Sequence, residues 1–149
     1  MIRKRTFRNS QAHTLYREEF KKVTKPESEA PSLPTSISKL TSDKLSDLML
    51  RYTAWREFTE DILNDSLVEF TVAKEQYDNA YQIEYLRADS KLKVKEKEAL
   101  IDTLPTIHEK YLYLQEAELY HNLILRKLES FTNCLTIISR EITRRQGMP

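Results

Sequence analysis

Glycine is almost missing from this chain. Among 149 residues there is one, Gly147, where ordinary usage of about 7% would supply roughly ten. Phosphate-cradling loops, dinucleotide fingerprints, nucleophile elbows and most tight hairpins need glycine for positive φ or close backbone approach, so none of them can be built here. Cysteine is equally scarce. Cys134 stands alone in an apolar helical stretch, which excludes a disulfide framework and a thiolate metal cluster and makes a cytoplasmic setting the default. Long apolar runs are missing as well: the longest charge-free stretch, Ser130 to Ser139, is too short to span a bilayer. The opening MIRKRTFRNS is basic but is not followed by the apolar core of a secretory signal. The expected protein is therefore cytoplasmic and without a membrane partner.

What is present is charge in blocks. The net charge of +1 conceals +6 over residues 1–25 and −7 over residues 26–86. Residues 87–98 carry +2, residues 99–138 carry −2 and residues 139–149 carry +2. A basic arm thus precedes an acidic body that has two further positive places, and each of the three is suited to phosphate or to an acidic partner.

Residues 1–40 contain Pro26, Pro31 and Pro34 among Ser, Thr and Glu, with no sustained period beyond a short helical turn around Ala12 to Lys22. They read as a flexible basic arm and Pro-containing linker, ahead of a helical oligomerisation domain over 41–149. From Thr35 to Leu104 there is neither Gly nor Pro, and a long helix opens with Thr41 or Ser42 as N-cap. Its stripe runs through Leu45, Leu48, Tyr52, Trp55, Phe58 and Ile62 and on to Tyr77 and Tyr81 at spacings of mostly three and four. At Lys91 to Lys97 lysine alternates with other residues at period two, which predicts a short strand or extended basic tip. Pro105 then starts a second long helix, which Gly147 ends.

That second helix carries a heptad seam: Leu114, Ala117, His121, Ile124, Leu128, Phe131, Leu135, Ile138 and Ile142. Leu112, Leu119, Leu123 and Ile137 lie off the seam and predict a second apolar face, one for the first helix and one for a neighbouring chain. The expected fold is all-α: a long two-helix antiparallel hairpin with a basic tip and an N-terminal extended arm, assembled as a bundle or coiled-coil oligomer.

Candidate chemistry is sparse. His121, the one polar seam residue, fixes register more readily than it binds a ligand, and His13 and His108 lie in unrelated segments, so no metal or other cofactor is expected. Glu57, Glu60, Asp61 and Asp65 read as a solvated acidic face rather than an acid–base pair. Trp55, Tyr77, Tyr81, Tyr111 and Tyr113 suit core packing and, less readily, base stacking. No catalytic constellation emerges, and an enzyme is not expected. The candidate nucleic-acid-binding residues are Arg3, Lys4, Arg5 and Arg8 in the arm, Lys91, Lys93, Lys95 and Lys97 crowding one edge of the tip, and Arg140, Arg144 and Arg145 in the last turns. The last group equally complements the helix dipole, and the arm equally suits docking on a protein.

Two long helices joined by a basic tip, the Tyr-x-x-Trp element from Tyr52 to Trp55 and the closing Ser-Arg-Glu-Ile-Thr-Arg-Arg from Ser139 to Arg145 resemble small helical proteins of tailed bacteriophages, among them the UvsY-type recombination mediators. The resemblance covers roughly residues 40–146. It implies a ring-shaped homo-oligomer that binds single-stranded DNA, displaces single-strand-binding protein and helps load a recombinase, with Lys91, Lys93, Lys95 and Lys97 at the DNA. The long proline-bearing arm departs from that pattern. Two functions follow as expectations. The first is a non-enzymatic, oligomeric single-stranded-DNA-binding accessory protein acting in DNA recombination in the host cytoplasm. The alternative is a virion or DNA-packaging structural protein, a small terminase-like ring or a head or neck component, whose arm clasps neighbouring subunits. A cellular coiled-coil adaptor would differ from both in having no DNA affinity.

Overall fold

The computed structural model describes residues 11–20 and 22–148, and it is all-α. Among the described residues four α-helices follow one another: α1 (Gln11–Glu19), α2 (Ser42–Arg87), α3 (Val94–Asp102) and α4 (Pro105–Gln146), with a 3-10 turn at Ile37–Lys39 ahead of α2. The two-helix hairpin expected from the sequence is thus corrected to four helices.

Local chemistry sets the helix ends. Thr41 caps α2, its hydroxyl accepting from Lys44 N at 3.3 Å, and Asp43 occupies the positive first turn. Threonines inside the helices would ordinarily weaken them. Here Thr53, Thr59 and Thr71 return their hydroxyl protons to the carbonyls of Met49, Trp55 and Leu67, at 2.8, 2.7 and 2.8 Å. Pro105 opens α4 where no N–H is needed, and His108 N donates to Leu104 O at 3.0 Å. Gly147 closes it without a positive φ, and a Cβ there would sit 3.6 Å from Thr143 O, an ordinary contact. The only glycine is not conformationally required.

The short strand or extended tip expected at Lys91 to Lys97 is instead a turn over residues 91–93 followed by the first residues of α3, 94–97. Alternation over so few residues fits either element, and an isolated strand has no neighbour to satisfy its backbone. A helix satisfies its own, and it lets Ile101, 2% exposed, anchor the segment.

The chain divides into two compact units, Met1–Glu19 with Asp65–Asn122, and Phe20–Asn64 with Leu123–Pro149. In the second, Leu45, Leu48, Tyr52, Phe131 and Ile138 form the core, and Tyr52 meets Phe131 edge-on with ring centroids 5.9 Å apart. Burial first, and then the Cys134 side chain, push the Tyr52 hydroxyl's pKa well up. Leu33, Ile37 and Leu40 pack on the same core from the segment before α2, and Arg51 donates to Glu29 O at 3.2 Å. In the first unit, α1 is tied to α2 by the Arg17–Asp65 ion pair. His121 Nδ1 lies 3.0 Å from Ser66 Oγ, its ring is stacked on Phe70, and Tyr113 donates to Glu69 Oε1 at 3.2 Å. Burial and the Glu69 carboxylate push Tyr113 up to about 12. Within each unit, ascending α2 residues meet descending α4 residues, so the packing is antiparallel.

The heptad seam is therefore turned inward. Ala117, Phe131 and Ile138 are buried, and Leu114, His121, Ile124, Leu128, Leu135 and Ile142 are half-buried within this chain. His121 meets α2 of its own chain. The off-seam Leu112, Leu119, Leu123 and Ile137 are exposed.

Ile138→Ala is expected to cost about 2–5 kcal/mol in urea unfolding, as for other buried aliphatic truncations. Leu50→Ala, at a site 71% exposed, should stay within about 0.5 kcal/mol of the parent. Equal losses at the two sites would show that the inward face is not the one that carries stability.

Candidate nucleic-acid interface

Two acids shape the turn between α2 and α3. The Asp89 carboxylate accepts from Lys91 N at 3.0 Å and its carbonyl from Leu92 N at 3.1 Å, while Glu96 reaches back to accept from Lys93 N at 2.9 Å. The lysine backbone is held by its acidic neighbours, and the side chains of Lys91, Lys93 and Lys95 are exposed. Lys97 differs: its ammonium lies over the Tyr85 ring, 4.9 Å from the centroid, in a cation–π contact. At about 100° per residue, Lys95 and Lys97 are roughly 200° apart around α3. The four lysines thus do not share one edge, which corrects the expectation from their alternation.

Residues of α2, α3 and α4 line an aromatic cleft that none of these four lysines enters. Tyr77, Asp102, Ile107, His108 and Tyr111 line a space of about 370 Å³, and Tyr81 and Asp78 continue its wall. Tyr77 stands 5.9 Å from Tyr111 and 6.0 Å from Tyr81, centroid to centroid. Burial first, then the Asp102 carboxylate, raise the pKa of both Tyr77 and Tyr81. The rings offer stacking surface, but Asp78 and Asp102 oppose a phosphate there. Trp55 is turned toward the core of the second unit, edge-on to Phe58 at 5.8 Å, with its indole N–H buried.

At the end of α4, the arginines are engaged within the chain. Arg144 makes a two-pronged contact with Glu141, Nε to Oε2 and Nη2 to Oε1, each at 2.8 Å. Arg145 Nε donates to Glu141 Oε1 at 2.8 Å, and its Nη atoms reach Ser42 Oγ at 3.4 Å and Ser38 O at 3.3 Å. This pair of arginines holds the Glu141 carboxyl down at about 2. Arg145 staples the 3-10 turn and the start of α2 to α4. Arg140 is exposed. Arg3, Lys4, Arg5 and Arg8 lie outside the described residues.

The acidic residues of α2 are not one solvated face. Asp61 is 7% exposed, Asp65 pairs with Arg17, and Glu60 pairs with Arg56 at 3.2 Å. Among the described residues no group of three or more His, Cys, Asp or Glu is placed to hold a metal ion. None of the described helices is long and apolar enough to cross a membrane.

Sequence reasoning misses the cleft position of Asp102 and His108, which no spacing links to Tyr77, and it misses the pairing role of Glu141. The latter has a signal: Glu141 precedes Arg144 and Arg145 by three and four residues, the two spacings that meet on a helix. Comparison of the chain with protein-family models, curated proteins and solved structures returns no match.

A depressed carboxyl stabilises the fold above its unfolded pKa, and the contribution fades as pH falls through the folded value. Glu141→Gln should therefore lower the urea midpoint at neutral pH. The gap to the parent should close as pH falls from about 4.5 toward about 2. A gap of constant size across that range would show that the Glu141 charge is not what clamps the helix end.

Proposed function

We propose that the chain is a non-enzymatic, self-associating accessory protein that binds single-stranded DNA in the manner of a phage recombination mediator. One observation carries the reading: Lys91 and Lys93 are exposed on a turn whose backbone is pinned by Asp89 and Glu96, and Lys95 is exposed in the first turn of α3 that follows it. A polyanion meeting them releases counterions without having to order the turn first. An acidic body elsewhere limits the contact to such basic places, with Arg140 and the arm residues Arg3, Lys4, Arg5 and Arg8 as further contributors. On this reading the protein acts in the host cytoplasm, with a recombinase or a single-strand-binding protein as partner. Self-association is supported by the exposed leucines on α4.

The alternative of a virion or packaging component draws on a different observation. Arg144 and Arg145 direct their hydrogen bonds to Glu141 and to the segment before α2, as residues of a structural clamp do.

The deciding measurement is fluorescence anisotropy of a labelled single-stranded oligonucleotide, with duplex competitor and a salt series. Salt-sensitive binding that prefers the single strand is expected. Changing Lys91, Lys93 and Lys95 together to Ala should reduce the slope of log K against log salt by about 2, at roughly 0.7 per phosphate contact. An unaltered slope would transfer the contact to the arm. Absence of binding at low salt, with assembly intact, would overturn the DNA reading in favour of the structural one.

A further inference from the structure

Helix α4 is apolar on two sides. One is the inward seam. On the other, Leu112, Leu119 and Leu123 are 47%, 61% and 53% exposed. Taking Leu112 as origin and about 100° per residue, Glu116, Leu119, Leu123, Arg126 and Ser130 all fall within roughly 40° of it. These six positions repeat at spacings of four and three, a second heptad stripe on the far side of the helix from the first. All six are exposed, and the stripe carries two charges of opposite sign, Glu116 and Arg126.

The placement of those charges selects an occupant. In a parallel pair of identical helices, Glu116 would face Glu116 and Arg126 would face Arg126, so both charged layers repel. In an antiparallel pair with its two-fold axis beside residue 121, Leu119 meets the partner's Leu123 and Glu116 meets the partner's Arg126. Symmetry repeats each contact. Leu112 then meets the partner's Ser130. Sliding the helices by a heptad in either direction puts Glu116 against the partner's Leu119, or Arg126 against the partner's Leu123. One orientation and one register pair both charges of the stripe while matching Leu119 to Leu123, the device by which polar core positions specify coiled-coil pairing.

We infer that the outer face of α4 is a self-recognition surface: two copies of this chain pair through it, antiparallel, with Leu119 and Leu123 at the centre and two Glu116–Arg126 ion pairs flanking them. The inference gives the self-association proposed above its face and register, and it does not depend on DNA binding.

The test is a charge-swap set on the full chain, read by sedimentation velocity and light scattering, with helicity followed by circular dichroism. The parent should self-associate. Glu116→Arg and Arg126→Glu each create two like-charged layers and should weaken association by about tenfold or more. The double variant should recover it. An equimolar mixture of the two single variants should form a mixed pair, because each supplies the charge the other lacks. All sites are exposed, so helicity should be unchanged throughout. A parent that is monomeric with intact helicity would overturn the inference, as would single variants that associate like the parent or a mixture that does not pair. Failure here with salt-sensitive DNA binding retained would leave the nucleic-acid reading standing, and the converse result would separate the two in the other direction.

Discussion

Burial of the inner face of α4 against α2 is the constraint on which the rest of the molecule depends. Helices of 46 and 42 residues are not held by propensity alone, since most helical stability in water comes from packing an apolar face. In the second unit that packing is made by Tyr52 and Phe131 with Leu45, Leu48 and Ile138. In the first unit it passes to smaller and more polar contacts, Ala73, Ala117 and the Ser66–His121 hydrogen bond. A hydrogen bond in a seam contributes less than the leucine it replaces, but it penalises any sliding of the helices that would leave His121 or Ser66 buried and unpaired. His121 thus serves register between α2 and α4 of one chain.

Much of this architecture is legible in the sequence. The bounds of α4, between Pro105 and Gly147, and the long Gly- and Pro-free run that contains α2 follow from punctuation and period. The seam from Leu114 to Ile142 follows from heptad spacing, because period survives whatever the partner is. The partner itself is not legible: a heptad seam is equally apolar whether it packs on its own chain or on another. The segment 91–97 misleads for a different reason, since seven residues of alternation fit a strand as well as the start of a helix, and only Ile101 beyond the window decides. Leu33, Ile37 and Leu40 escape notice because their packing on the core has no period to reveal it.

The candidate site is legible by composition more than by geometry. Counting charge locates three positive places, but a count does not show which cations are already engaged. Arg144 and Arg145 face a carboxylate held at about 2, Lys97 faces an aromatic ring, and Lys91, Lys93 and Lys95 remain exposed. A guanidinium that is committed within the chain must give up that partner before it can gain from a phosphate, so the net effect of its binding is small. The exposed lysines face no such exchange, which is why the proposed DNA contact is placed at the turn between α2 and α3 and the start of α3 and not at the C-terminal end.

The paired state inferred for α4 determines how that turn would be used. Pro105, which α3 separates in sequence from the lysine-bearing turn, lies some sixteen residues ahead of the proposed two-fold axis, about 24 Å along the helix at 1.5 Å per residue. Antiparallel pairing therefore sends the α4 N-termini of the two copies to opposite ends, roughly 48 Å apart. Few cations at each end would hold DNA only weakly on their own. Two ends on one strand act as linked contacts, and their combined affinity depends on whether the strand is long enough to reach both. On the proposed reading, a modest basic tip on an otherwise acidic chain would then be sufficient for DNA binding, because pairing through the second apolar face of α4 would supply the multiplicity that the charge count of a single chain lacks.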